Sequence, residues 1–119
     1  VELRGIVDDT RLFYSDIDLL ALTSLWGEAC PNVLIEAMTE GKMVVATDIG
    51  DCKKMLNGYG VIITTPSTKE IASGIELAIN KLKDIDRLNQ KQMREYASKT
   101  FNIGVSLRHH RECWLGLQT

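Results

Sequence analysis

Two short apolar runs constrain this chain more than any other feature: Ile17-Asp18-Leu19-Leu20-Ala21-Leu22-Thr23 and Met43-Val44-Val45-Ala46-Thr47, separated by helix-like sequence. A nearly continuous apolar run such as the first suits a strand buried on both faces. The alternation extends in both directions. Val1 to Val7 reads as a strand, and Asp8-Asp9-Thr10 signals the start of a short helix ending near Ser15. After the strand at 17–23 come a loop from Ser24 to Cys30, a helix from Pro31 to about Glu40, and the strand at 43–47. A brief helix near 51–56 and a strand at 61–64 complete the series. Pro31 suits a first helical position, where its missing N–H would be unsatisfied anyway. Gly41 stands where a helix end takes a left-handed residue. About four strands joined by helical crossovers predict an α/β fold: a doubly wound parallel sheet with helices on both faces.

From Ser67 onward the pattern is helical. Ile71, Ile75, Ala78, Ile79 and Leu82 recur at helical spacing. A second helix is predicted from about Asp86 to Ser98. A third runs from about Asn102 to Leu117, with Ile103, Leu107, His110, Trp114 and Leu117 on one face. Residues 1–119 thus read as one domain, in which 1–65 carry the sheet and any site, and 66–119 form a helical tail. In such sheets ligands sit beyond the carboxyl ends of the strands. The loops to examine are therefore Asp8-Asp9, Ser24 to Asn32, and Asp48 to Lys53.

Composition excludes several function classes. Lys plus Arg number 14 against 16 Asp plus Glu, a formal charge of −2, so no basic excess exists to neutralise a nucleic-acid backbone. No run of about 18 apolar residues is present to span a bilayer. The three cysteines, Cys30, Cys52 and Cys113, lack CxxC pairing and read as reduced thiols of a cytoplasmic protein. The chain opens at Val1 in strand-like sequence without a signal-peptide pattern, and reads as a piece of something longer.

The segment with chemistry is Gly27 to Gly41, GEACPNVLIEAMTEG. Seven residues separate Glu28 from Glu36. Pro31 prevents one continuous helix, since the residue before a proline avoids helical angles. Glu28 therefore lies in the loop and Glu36 about one turn into the helix. Between them the amides of Asn32, Val33 and Leu34 are expected as open donors at a positive helix end, a ready anion site. Two acids beside an anion site make sense for a bipartite ligand. The carboxylates accept from sugar diols while the helix end takes a phosphate, and a nucleotide sugar carries both groups.

GEACPNVLIEAMTEGKMVVATDIG resembles the signature of the family-4 retaining glycosyltransferases, whose E-x7-E motif is commonly written EGFPNVLIEAMA-G-PVVAT-IGG. Gly5-Ile6-Val7-Asp8-Asp9, Tyr14-Ser15-Asp16-Ile17-Asp18, Ser24 and Gly60-Val61-Ile62 resemble the family's flanking segments. The resemblance implies one half of a GT-B architecture of two Rossmann-like domains. This chain would be the C-terminal, donor-binding half, with the N-terminal acceptor domain absent. It implies that Glu36 binds ribose hydroxyls and that Glu28 lies at the transferred sugar, as a catalytic or a hexose-binding group. The amides of Ala29 and Cys30 would approach the hexose, those of Asn32 and Val33 the diphosphate, and Gly5, Ile6 and Val7 the base. No metal and no other cofactor is implied. The reaction implied is retaining transfer of a hexose from a nucleotide-diphosphate sugar to a carbohydrate or lipid-linked acceptor, as in polysaccharide biosynthesis. The acceptor would be held by the missing domain, the full-length protein could work at a membrane surface, and the isolated piece would not turn over.

The sequence also departs from that pattern. Ala29-Cys30 replace Gly-Phe, Asp51 replaces the second glycine of Gly-Gly, and Lys54 stands where a glutamate is common. The family's phosphate-binding Arg and Lys have no counterpart after Val1; neither Arg4 nor Arg11 has their context. Other readings are a receiver-like or ligand-sensing module using Asp8-Asp9, and a GT-B phosphorylase or epimerase. Asp8-Asp9 also reads as a helix cap. Cys30 lacks a partner base, His109 and Cys113 lack further metal ligands, and Gly58-Tyr59-Gly60 precedes a strand and so is a turn, not a dinucleotide fingerprint.

Overall fold

A computed structural model describes residues 1–117. It contains three strands, β1 (Leu19–Leu22), β2 (Met43–Thr47) and β3 (Val61–Ile63), and six helices: α1 (Thr10–Ser15), α2 (Asn32–Thr39), α3 (Cys52–Leu56), α4 (Thr68–Asp84), α5 (Arg87–Thr100) and α6 (Ile103–Leu117). The sheet order is β1-β2-β3 and every pairing is parallel. Leu19 to Leu22 align with Met43 to Ala46, and Val45 to Thr47 with Val61 to Ile63.

All five residues of β2 are buried, because it is paired on both edges and covered on both faces. Its side chains alternate as the pleat requires. Val44 and Ala46 join Leu34, Met38, Cys52, Met55 and Leu56 in one core. Met43 and Val45 join Val61, Ile63 and Ala78 in the other. Two successive right-handed crossovers put α2 and α3 on the same face, and α4 returns across the opposite one. Its predicted stripe of Ile71, Ile75, Ala78 and Leu82 faces that second core, whereas Ile79 is largely exposed. The expected parallel α/β layering with helices on both faces is therefore present, followed by the helical tail.

Three details differ from expectation. The sheet has three strands, because Val1 to Val7 forms none. Gly5 turns the chain at a φ of 67°, Leu3 and Ile6 are exposed, and Arg4 is held by Asp16 (3.2 Å) and Glu2 (3.1 Å). A strand exists only as part of a ladder, and none of the described residues pairs with this run. As a consequence β1 is an edge strand, half-buried with Ala21 exposed, not the doubly covered strand its apolar run suggested. Finally, Pro31 is the N-cap of α2 and not its first helical residue, with φ −71° and ψ 117°.

The remaining helix ends follow their sequence signals. Gly41 at φ 72° closes α2 with the paired bonds of a Schellman motif, Gly41 N–H to Met38 O (3.0 Å) and Lys42 N–H to Ala37 O (2.8 Å). Ser67 caps α4 and Asp86 caps α5 through their side chains. In α6 the helix forms, but its expected apolar face is not packed: Ile103, Leu107 and Trp114 are exposed. His110 bonds its own helix at Ser106 O (2.8 Å), and the Leu117 side chain lies outside the described residues.

Gly74 sets how closely α4 sits on the sheet. A Cβ there would lie 2.7 Å from Ile63 Cγ1 and 3.4 Å from Val45 Cγ2. Gly74→Val should therefore destabilise the fold by about 2 kcal/mol, the usual range for overpacking. Urea unfolding measures it, and an unchanged midpoint would contradict the close approach.

Candidate functional site

The carboxyl end of β1 leads directly into the loop that carries Glu28. Glu28 is half-buried and accepts a 2.8 Å hydrogen bond from Ser24 Oγ. Ser24 is in turn fixed from the neighbouring strand: Thr47 Oγ1, at the end of β2, donates to Ser24 O at 2.6 Å. Thr47 is buried, so its hydroxyl needs such an acceptor to offset desolvation. The chain after β2 secures the same loop from its other side. Asp51 N–H donates to Ala29 O at 2.9 Å. Gly50, at φ 55°, lies so close that a Cβ would strike the carbonyls of Glu28 and Ala29.

This clamp leaves the start of α2 open. Pro31 has no N–H and no capping oxygen, and no side chain caps the helix. The amides of Asn32 and Val33 have no partner among the described residues. Leu34 differs: its N–H donates to Pro31 O at 3.1 Å. The expected three open donors are thus two, because the first turn of α2 closes on its own cap residue. Ala29 and Cys30 are exposed beside this helix end.

Glu36 follows one turn further along α2, half-buried. Its Oε2 accepts from Tyr14 Oη at 3.0 Å, and the same hydroxyl lies 3.3 Å from Val33 O. Tyr14 is only 3% exposed and packs edge-on against Phe13, with ring centroids 5.3 Å apart. Burial, with the Glu36 hydrogen bond and charge adding to it, pushes the Tyr14 phenol up to about 12. It therefore stays a donor across the working pH range. The Cys52 thiol is also pushed up, first by burial and further by the charges of Glu28 and Asp48.

Other expected residues stand apart from this cluster. Gly5, Ile6 and Val7 are exposed, and nothing lies within 4 Å of a Cβ built on Gly5. Asp9 caps α1, accepting from Arg11 N–H (3.0 Å) and Leu12 N–H (3.3 Å), so its carboxylate is engaged as a cap. Cys30 borders a cavity of about 170 Å³ lined also by Lys54, Tyr96 and Phe101. A larger cavity of about 340 Å³, with Met43 and Met93 in its wall, opens at the amino end of β2, away from both glutamates. Among the described residues no group of three or more His, Cys, Asp or Glu could hold a metal, and no helix is long and apolar enough to cross a membrane.

The sequence reading missed the supporting hydroxyls. Tyr14 and Ser24 carried only a resemblance, and Thr47 only a strand assignment. The available signal was positional: Thr47 ends β2 and Ser24 follows the end of the adjacent parallel β1, where the Thr47 hydroxyl reaches the Ser24 carbonyl.

The fold is a parallel α/β layered domain whose two glutamates and open α2 amides lie past the carboxyl ends of its strands. The chain belongs to the group 1 glycosyl transferases: that family's model matches residues 1–81, which span the sheet, both glutamates and most of α4. It is thus a domain of glycosyltransferase type. No curated protein matched the chain.

Tyr14 gives a direct check on the site's geometry. The fold favours the neutral phenol, so the stability it confers is whole below about pH 10 and lost as pH rises from there toward 12. The difference in phenolate absorbance between the wild type and Tyr14→Phe should show a midpoint at about 12. A midpoint near the ordinary phenol value of about 10 would mean that the ring is neither buried nor bonded to Glu36.

Proposed function

We propose that this chain is the donor-binding half of a retaining hexosyltransferase that uses a nucleotide-diphosphate sugar. The observation that carries the proposal is the open amino end of α2 between two glutamates, Glu28 bonded by Ser24 of its own loop and Glu36 by Tyr14 of α1. In this reading the Asn32 and Val33 amides bind diphosphate oxygens, with the helix dipole adding attraction. Glu36 accepts from the ribose diol. Glu28 lies at the hexose, whose hydroxyls also meet the amides of Ala29 and Cys30. Leu34 contributes by packing the first turn rather than by its amide. Gly5 to Val7 border the base once the donor is bound.

The chemistry follows from that arrangement. The leaving diphosphate oxygen takes the acceptor's proton as the acceptor attacks the same face of a short-lived oxocarbenium ion. Glu28 then orients the sugar and stabilises positive charge near the anomeric carbon. A double displacement would instead need a carboxylate on the opposite ring face. The acceptor, a carbohydrate or a lipid-linked sugar, is bound by a further domain, and catalysis requires both halves. The resemblance to family-4 enzymes supports the retaining outcome, and the group 1 family supports transferase chemistry.

Titration of the chain with UDP, GDP and ADP, followed by backbone NMR, tests the donor site. One or more should shift the amides of residues 32–36, weakly in the isolated chain, and Glu36→Ala should weaken the response. If millimolar concentrations of all three leave that segment unmoved, in the chain and in a two-domain protein containing it, the donor-site reading fails.

A further inference from the structure

We infer that Tyr14 is a positioning residue that sets the ribose selectivity of the donor site by fixing the Glu36 carboxylate. The inference rests on the reading of Glu36 as the ribose acceptor and adds a residue to it.

The geometry is specific. Tyr14 belongs to α1, which precedes the sheet, and Glu36 belongs to α2, 22 residues later. The Tyr14 hydroxyl has one proton and two acceptors in reach, Glu36 Oε2 at 3.0 Å and Val33 O at 3.3 Å. It therefore spans the outer turn of α2, from the backbone of one site residue to the side chain of another. Its ring is buried while Glu36 is half-exposed, so a packed ring holds a carboxylate that faces solvent. A free glutamate samples several rotamers, each of which must be given up when a diol binds. Fixing Oε2 in advance lowers that cost and sets the carboxylate plane.

The bond also leaves the acid able to bind. A carboxylate has about four acceptor positions, and one neutral hydroxyl uses only one of them. The remaining positions on Oε1 and Oε2 match two vicinal hydroxyls. A guanidinium in place of the phenol would occupy both oxygens at once. The bland account is that Glu36 merely satisfies a buried phenol. The two accounts differ in what Tyr14→Phe does to selectivity, because phenylalanine keeps the buried ring and removes only the donor.

The test compares a ribonucleoside diphosphate (UDP, GDP or ADP, whichever binds) with its 2′,3′-dideoxy counterpart by NMR titration. The wild type should prefer the ribonucleotide, and Glu36→Ala should remove the preference. Tyr14→Phe should reduce it by about five- to tenfold, the effect of one such hydrogen bond, with dideoxy affinity unchanged. If Tyr14→Phe keeps the full preference while Glu36→Ala loses it, the inference is overturned and the Glu36 reading stands. If the wild type shows no preference, or Glu36→Ala retains it, both fail. Should Tyr14→Phe not fold, 3-fluorotyrosine at position 14 replaces it. Its ¹⁹F resonance should move with the ribonucleotide and not with the dideoxy form, and equal movement would overturn the inference.

Discussion

Complete burial of β2 is the constraint on which the rest of the structure depends. Its five residues are paired on both edges and covered on both faces. Every backbone group along it must therefore be met by β1 or β3, since water cannot reach it. This fixes the parallel register, and a slip of one residue would exchange Val44 and Ala46 with Met43 and Val45 between two unlike cores. One of those cores is built from the long side chains of α2 and α3. The other is thinned by Gly74 and Ala78 so that α4 can lie close.

The same constraint builds the site. Because β2 is immobile, the residues at its end act as fixed points for the neighbouring loop. Thr47 holds Ser24, Ser24 holds Glu28, and Asp51 holds Ala29. None of these bonds belongs to the sheet ladder, yet each starts from a position that the ladder determines. The loop needs this support. Pro31 deprives it of helical structure, and Gly27 at φ 88° turns it immediately before Glu28. An acid on a loop becomes a precise acceptor only when other elements immobilise it.

How much of this was legible in the sequence depended on how local each cause was. The apolar runs at 17–23 and 43–47, Gly41 as a helix end, and Ser67 and Asp86 as helix starts all follow from neighbours in the chain, and the structure has each of them close to where they were read. Val1 to Val7 was misread because composition gives strand propensity but not a partner. The doubly buried character of residues 17–23 failed for the same reason, since it depends on who lies at the sheet edge. The Leu34 amide was misassigned because the first turn of α2 tightens into an i to i−3 bond from Leu34 N–H to Pro31 O, which no local sequence signal marks. Glu28 and Glu36 could be found from spacing and resemblance. Their partners could not, because Tyr14 and Glu36 meet across 22 residues of sequence and nothing local links them.

The identity of those partners bears on what the site can accept. Both glutamates are held by neutral hydroxyls, while ion pairs form elsewhere, at Arg4 and between Lys91 and Glu95 (3.9 Å). A carboxylate beside a neutral donor keeps its whole charge and most of its lone pairs. Such a group repels an anion and attracts a hydroxyl. The two open amides of α2 have the opposite preference. A ligand that put phosphate at Glu36 and hydroxyls at Asn32 would meet repulsion at one point and weak bonding at the other. One that puts hydroxyls at the acids and an anion at the helix end meets a matching group at each. In the donor-site reading proposed above, the order of acid, helix end and acid matches a ligand that carries hydroxyls on either side of an anionic group.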